Sequence, residues 1–485
     1  MQAALDAIRS FLDYGPNVAL PVIMFLLCLV LGMRVGKAIG AGLMLGVAFT
    51  GIFVLFDFAF PILGKAGQAM VQRIPGLRFE AYDLGWTVAS VISWAWPYAF
   101  LMFPLQITIN IVMLALGWTK CLNVDMWNVW HKATLGAFVS ALVGQSAPAL
   151  ALPLGFLVAA IWVVAELISA DHTREQVYNL TRIPGIAVSH NMLLDIMWMA
   201  PVLDLIEKIP GLDKIKTSPA DLRRRIGVFG ENYVIGAILG LIFGLLAGYD
   251  FKGIATLIIQ CAAIVTLFPL LAGLFARALA PVAEGAQEFM QKRFPGRSFY
   301  IGLDWPVLAG IDSLWVTGIL IAPLILLFAI ILPFNNTLPF GSIIAVSLVA
   351  TVTVLTQGDL VKSLLLSIIG IPVYLGAATY FAPYLTNLAV ATGAIQIPEG
   401  YGMVTWLETN AAGMRLLVFT ILNTLNGQIL PGLIALVILA FCVWYYFPAM
   451  KRRENAAAQE SGGISGNPLP YPEVAPKTAK PAAAD

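Results

Sequence analysis

The stretch AMVQRIPGLRF at 69–79 and the stretch FMQKRFPGRSF at 289–299 decide how this chain is read. Laid over one another 220 residues apart, they match at Met70 and Met290, Arg73 and Arg293, Pro75 and Pro295, Gly76 and Gly296, and Phe79 and Phe299. Working outward, Asp83-Leu84-Gly85-Trp86 echoes Gly302-Leu303-Asp304-Trp305, Pro104-Leu105 answers Pro323-Leu324, and Gly15-Pro16-Asn17 answers Gly230-Glu231-Asn232. Shared composition produces one such match by chance but hardly four in the same order, so the chain reads as an internal duplication.

Both copies are strongly apolar. Of 485 residues, 59% are hydrophobic and only 11% charged, against about 25% charged in soluble domains. Lys and Arg (28) nearly balance Asp and Glu (27), so no global field would attract nucleic acid or an acidic partner. Cys28, Cys121, Cys261 and Cys442 lack metal-ligand spacing and read as small buried hydrophobes; no metal or cofactor is expected. The amphipathic N-terminus lacks the basic start and apolar core of a cleaved signal, so the first span is expected to be retained.

A hydrocarbon core about 30 Å thick needs about 20 apolar residues per crossing helix. On that measure the chain is expected to be an all-α polytopic membrane protein with about eleven spans, near 16–33, 38–62, 97–118, 132–146, 149–170, 228–248, 253–279, 314–333, 340–357, 362–384 and 426–448. Lys and Arg collect in alternate loops, whereas 334–339 and 385–413 contain neither, which puts the N-terminus outside and the C-terminus in the cytoplasm; only 63–82, with Lys65, Arg73 and Arg78, is out of line. Five spans separate the starts of the two copies, and an odd number makes them enter the membrane from opposite faces. The expected division is a first repeat over 1–227, including a cytoplasmic loop at 171–227 with a helix start at Ser218-Pro219-Ala220-Asp221, an inverted second repeat over 228–425, a last helix over 426–453, and a disordered Ala- and Pro-rich tail over 454–485.

Inverted repeats place a site near the midplane where broken helices meet. Residues 83–118 and 300–333 are each long enough for a re-entrant hairpin plus one crossing, and the Pro-flanked segment 183–201 is a third candidate to dip in and return. Ionisable side chains at that depth are costly and mark function, which selects His131, His190 with Asn191, Glu231, Asp304 and Asp312 as candidate substrate contacts, while Asp57 and Asp83 are weaker candidates and Asp195 is either a site residue or a helix cap. Donors and acceptors are mixed, no pair of inward-facing Arg or Lys is evident, and Trp86, Trp127, Trp130 and Trp305 lie close in sequence. Directional groups beside flat apolar surfaces suit a neutral polyol.

The segments NVDMWNVWH (123–131), IPGLDKIK (209–216), FGEN (229–232), LAGYDFKGI (246–254) and FYIGLDW (299–305) resemble the IIC membrane subunit of the galactitol-type sugar phosphotransferase system, related to the ascorbate type. That resemblance implies a homodimeric, elevator-type permease of the bacterial inner membrane whose substrate-carrying core moves against a dimerising domain. It also implies separate IIA and IIB proteins, the latter phosphorylating the sugar from a phosphocysteine, and substrate contacts at His131, His190, Glu231 and Asp304. The chain departs from the galactitol pattern at Val188-Ser189-His190-Asn191, at Phe229-Gly230-Glu231-Asn232 and near Ile311, which leaves the transport class intact and opens the substrate to other hexitols, a pentitol or a related sugar. The rival readings are an ion-coupled secondary transporter, in which Asp304 and Glu231 bind the ion, an intramembrane enzyme, for which no diagnostic pair is present, and a channel.

Overall fold

The computed structural model describes residues 16–73, 79–125, 127–212, 228, 231–293, 299–339 and 341–462. The central residues of the repeated motif (Pro75, Gly76, Pro295, Gly296), the helix start at Ser218 and the end of the chain from 463 lie outside them.

Four helices form one body: α1 (Pro16–Val30), α2 (Val35–Gln72), α8 (Asn232–Ala247) and α9 (Phe251–Arg293). They pack chiefly on one another. Gly236, Gly240 and Gly244 recur every fourth residue along α8, and a β-carbon at Gly236 or Gly240 would meet the α9 backbone at Cys261–Ala262 or Leu257–Ile258. Small residues at that spacing allow the two helix backbones to touch where lipid offers no hydrophobic drive for association.

The other elements make a core. In chain order they are β1 (Ala81–Asp83), α3 (Gly85–Trp94), α4 (Met102–Leu116), β2 (Cys121–Asn123), α5 (Trp130–Gly144), α6 (Pro148–Thr181), β3 (Ile186–Val188) and α7 (Ile196–Ile206). After the four-helix body's second pair come β4 (Tyr300–Leu303), α10 (Asp312–Ile331), β5 (Thr337–Leu338), α11 (Val346–Thr356), α12 (Leu360–Thr392), β6 (Met403–Thr405), α13 (Ala412–Leu422) and α14 (Ile429–Ser461). The strands pair reciprocally. β1 lies between β5 and β6, while β4 lies between β2 and β3, all parallel. Each half of the chain therefore donates the central strand of a sheet whose outer strands belong to the other half. β4 needs Gly302 at its middle, because a β-carbon there would run into Cys121 Sγ and Ser189 Oγ on its two neighbours.

Among the described residues five helices are long and apolar enough to cross a membrane, at Ala99–Leu116, Pro148–Thr181, Asp312–Ile331, Leu360–Thr392 and Ile429–Glu460. Several expectations change. The span at 340–357 is the 11-residue α11, buried along its whole length, about 16 Å long and so short of a crossing. The span at 132–146 is the 15-residue α5, also largely buried. Residues 171–212 are not a solvated loop: α6 continues to Thr181, and β3, a 3-10 turn (Asn191–Asp195) and α7 follow, mostly buried. Residues 403–413 are not an exterior loop either, since β6 and the start of α13 lie in the core. α14 runs on to Ser461, so the tail's first residues are helical, pinned by Arg174 to Glu454 (3.1 Å) and by Asn179 to Glu460 (3.0 Å). In the last three cases segments that read as loop or tail are held by tertiary contacts. All four cysteines are buried and free, as expected.

Candidate functional site

Four short helical starts meet in the core: α5, the 3-10 turn before α7, α11 and α13. Their mutual bonds define the meeting point. Met414 N–H donates to Asp195 Oδ1 (3.1 Å), Ser347 N–H to Glu408 Oε1 (3.3 Å), and Thr351 Oγ1 to Met192 O (3.1 Å), while Ser347 Oγ bonds Asn410 Oδ1. The residues before α11 and α13, Ala345 and Ala411, both hold positive φ (50° and 59°). Left-handed backbone at a residue with a β-carbon is strained and persists where surrounding structure enforces it, as at ligand sites. Helix N-termini also present a partial positive charge and free N–H groups.

At this point stand four of the seven residues singled out from the sequence. His131 is 1% exposed, its ring stacked on Trp406 (5.6 Å between centroids, 10° between planes) and edge-on to His190 (5.0 Å, 80°). Asn410 Nδ2 lies 2.9 Å from His131 Nε2. His190 caps the 3-10 turn by accepting Met192 N–H at Nδ1 (3.2 Å). That bond leaves Nδ1 without a proton and assigns the neutral ring's proton to Nε2, which faces Asp304 Oδ1 at 3.7 Å. Asp304 caps its own 3-10 turn, Trp305–Leu308, by accepting Trp305 N–H (2.6 Å). Asn191 is fully buried, and neither its Oδ1 nor its Nδ2 has a partner in the protein. Trp86, Glu231 and Asp312 head three other elements, α3, α8 and α10, and are half-buried. The side chain of Trp127 is outside the described set.

The loop that carries Asp125 is held from α4. Asn110 donates to Cys121 O (2.8 Å) and accepts Asn123 N–H (2.9 Å), and Gln106 donates to Asp125 O (3.2 Å). Asp125 in turn accepts Asn128 Nδ2 (2.7 Å), and Asn128 reaches Asp304. A small cleft of about 30 Å³ opens here, with Asp125, Asp304 and Pro306 on the core side and Met24, Leu27 and Phe49 on the four-helix side.

The structure adds residues that the sequence reading missed. Glu408 and Asn410 lie in a polar run that resembled an exterior loop. Lys132 and Glu166 form a buried ion pair (2.6 Å), and Arg415 is fully buried with Nη2 3.5 Å from His131 O. The expectation that no pair of inward-facing Arg or Lys is present is thus corrected, although Lys132 is paired with Glu166. The repeat itself held the signal for the missed segment: Val188-Ser189-His190-Asn191 follows β3 as Thr405-Trp406-Leu407-Glu408 follows from β6, the outer strands of the two sheets.

Long apolar helices, half-length buried helices and a polar cluster sealed among them define a polytopic membrane transport subunit. Residues 10–400 match the family model described as EIIC-GAT, PTS system sugar-specific permease component, and the chain belongs to that family. It is 31% identical over 457 residues to the PTS system galactitol-specific EIIC component of Escherichia coli strain K12, covering 94% of this chain and 98% of that protein. It is 33% identical over 430 residues to a putative permease IIC component of the same strain, covering 88% and 97%. EIIC components of these systems are multi-pass inner-membrane proteins that work with separate IIA and IIB proteins.

Proposed function

We propose that this chain carries galactitol or a closely similar hexitol inward for phosphorylation by its IIB partner. One observation carries the reading: His190 Nε2 and Asp304 Oδ1 stand 3.7 Å apart, a spacing that one substrate hydroxyl closes by accepting from the histidine and donating to the carboxylate. Around them Asn191 Oδ1 and Nδ2, Ser189 Oγ and Thr409 Oγ1 are buried without protein partners. Buried polar groups cost free energy unless bonded, and the hydroxyls of a polyol satisfy donors and acceptors alike. The Trp406 ring beside His131 supplies the flat apolar surface for carbon-bound hydrogens. Trp86, Glu231 and Asp312 are proposed as further contacts, of which Glu231, at the head of α8 in the four-helix body, approaches as the core moves.

The reciprocal strand pairing supports a duplication whose halves are inverted in the membrane, over 1–227 and 228–425. The four-helix body and the core meet across a cleft with an apolar wall on one side and Asp125 and Asp304 on the other. That contrast supports elevator movement of the core, with the four-helix body as the dimerising scaffold, the N-terminus outside and the C-terminus cytoplasmic. At the cytoplasmic face the sulfur–phosphorus bond of the IIB phosphocysteine breaks as a substrate oxygen bonds to phosphorus and its hydroxyl proton leaves.

Uptake of radiolabelled galactitol by cells expressing the chain with IIA and IIB should yield the phosphate ester and stop when IIB is removed. Uptake of free galactitol that survives loss of IIB and collapses with the ion gradient would establish the ion-coupled alternative.

A further inference from the structure

Beyond the histidines lies a second polar cluster. Asp195 ends the 3-10 turn, Trp198 is in α7, Tyr374 in α12 and Arg415 in α13. Asp195 and Arg415 are fully buried and Tyr374 is 1% exposed. Five of their polar atoms have no hydrogen-bond partner in the protein: Asp195 Oδ2, Trp198 Nε1, Tyr374 Oη, and Arg415 Nε and Nη1. Trp198 and Tyr374 are the side-chain donors turned toward the Asp195 carboxylate, and the same carboxylate is a counter-charge to Arg415. Such a concentration of unmade bonds is rare, because each is expensive in a low-dielectric interior.

The cluster is continuous with the site. Arg415 Nη2 reaches the carbonyl of His131, whose ring faces His190. Gly413 leaves no side chain between α13 and the Trp198 indole nitrogen. The ligand chemistry follows from the inventory. The guanidinium and carboxylate together are neutral, which disfavours an ion. The donors, an indole N–H and three guanidinium N–H groups, outnumber the single carboxylate oxygen, and the phenol serves either way. A vicinal diol matches this set, with one hydroxyl donating to Asp195 and both accepting from Arg415, Trp198 or Tyr374.

We propose that Asp195, Trp198, Tyr374 and Arg415 form a second subsite that binds the far-end diol of the polyol and so selects substrate by chain length. This rests on the polyol reading above and names the residues that measure the substrate. The test is equilibrium binding of radiolabelled galactitol and of the four-carbon erythritol to the purified full-length chain in lipid nanodiscs. Wild type should bind the hexitol more tightly. Arg415→Lys keeps the charge but loses the planar fork, and should weaken galactitol at least about tenfold while leaving erythritol unaltered, so the two affinities converge. Trp198→Phe and Tyr374→Phe each remove one donor without altering charge and should narrow the same ratio, which keeps the test decisive should Arg415→Lys not fold. An unchanged ratio in all folded variants, or equal loss for both polyols, overturns the subsite and means the cluster holds only water. Wild type binding neither polyol overturns the functional reading, and the subsite with it.

Discussion

Asp83 is the last residue of β1 and Asp304 the residue just past β4, each at the C-terminal end of the central strand of a three-stranded sheet, yet their surroundings differ. Asp83 is fully buried and accepts four protein donors: Gly85 N–H (3.1 Å), Ser342 N–H (2.8 Å), Ser342 Oγ (3.3 Å) and Leu407 N–H (3.2 Å). Asp304 accepts Trp305 N–H, borders a cleft and faces a histidine across a gap too wide for a direct bond. One copy's carboxylate is spent on joining β1 to the second half of the chain. The other, bonded by Trp305 N–H and reached by Asn128, borders the cleft and faces His190. Two similar strand ends thus carry carboxylates in different settings, one bonded into the architecture and one beside the cleft proposed for recognition.

The largest expected effect falls on the structural copy. Asp83→Ala strands three backbone N–H groups in a dry interior, each worth about 1–3 kcal/mol, so the variant should be nearly absent from membranes by immunoblot; normal abundance with altered substrate preference would break the comparison. Next, His190→Ala should leave a folded protein at wild-type abundance with uptake reduced to background, and wild-type uptake would remove it from the site. Asp304→Asn should keep the fold, since the amide oxygen still caps the 3-10 turn, and weaken galactitol binding by about 1–3 kcal/mol because an acceptor becomes a donor.

A smaller contrast tests the buried pair. Lys132→Met or Glu166→Leu alone leaves an uncompensated charge and should lower thermal stability strongly, whereas the double variant should recover much of it. A double variant that loses as much as the two single losses added together would show that the two residues do not act as a pair. The smallest effect lies at the polar end of α7. Burial pushes the Asp204 carboxyl up, but the Tyr445 hydroxyl and the Arg453 and Arg452 guanidiniums outweigh it and hold it below the usual carboxylate range. A depressed native value stabilises above the unfolded value of about 3.9 and is lost as pH falls through the native one. Asp204→Asn should therefore melt earlier than wild type near neutrality, with the difference shrinking as the pH is taken below about 4.

The sequence made the first half of the site legible. His190 and Asn191 stood out because they interrupt an apolar, Pro-flanked segment, and Asp304 because it is an ionisable group in a long apolar stretch at 300–333. Glu408, Asn410 and Arg415 did not, since Trp406-Leu407-Glu408-Thr409-Asn410 in isolation has the polarity of a loop. Only Asn410 meeting His131 and Glu408 meeting the start of α11 turn it into core.

Composition alone determined that this chain belongs in a bilayer, and the matched motifs and the ionisable groups at depth pointed to two related halves and to the site proposed between them. These are statements about solvation and periodicity, which depend on residue type and spacing along the chain. Which carboxylate is bonded into the fold and which borders the cleft, which half-length helices stop inside the core, and which nitrogens of the buried Arg415 guanidinium stay unpaired were decided by tertiary structure, because hydrogen-bond saturation is settled between residues more than two hundred positions apart, as between Asp83 and Leu407.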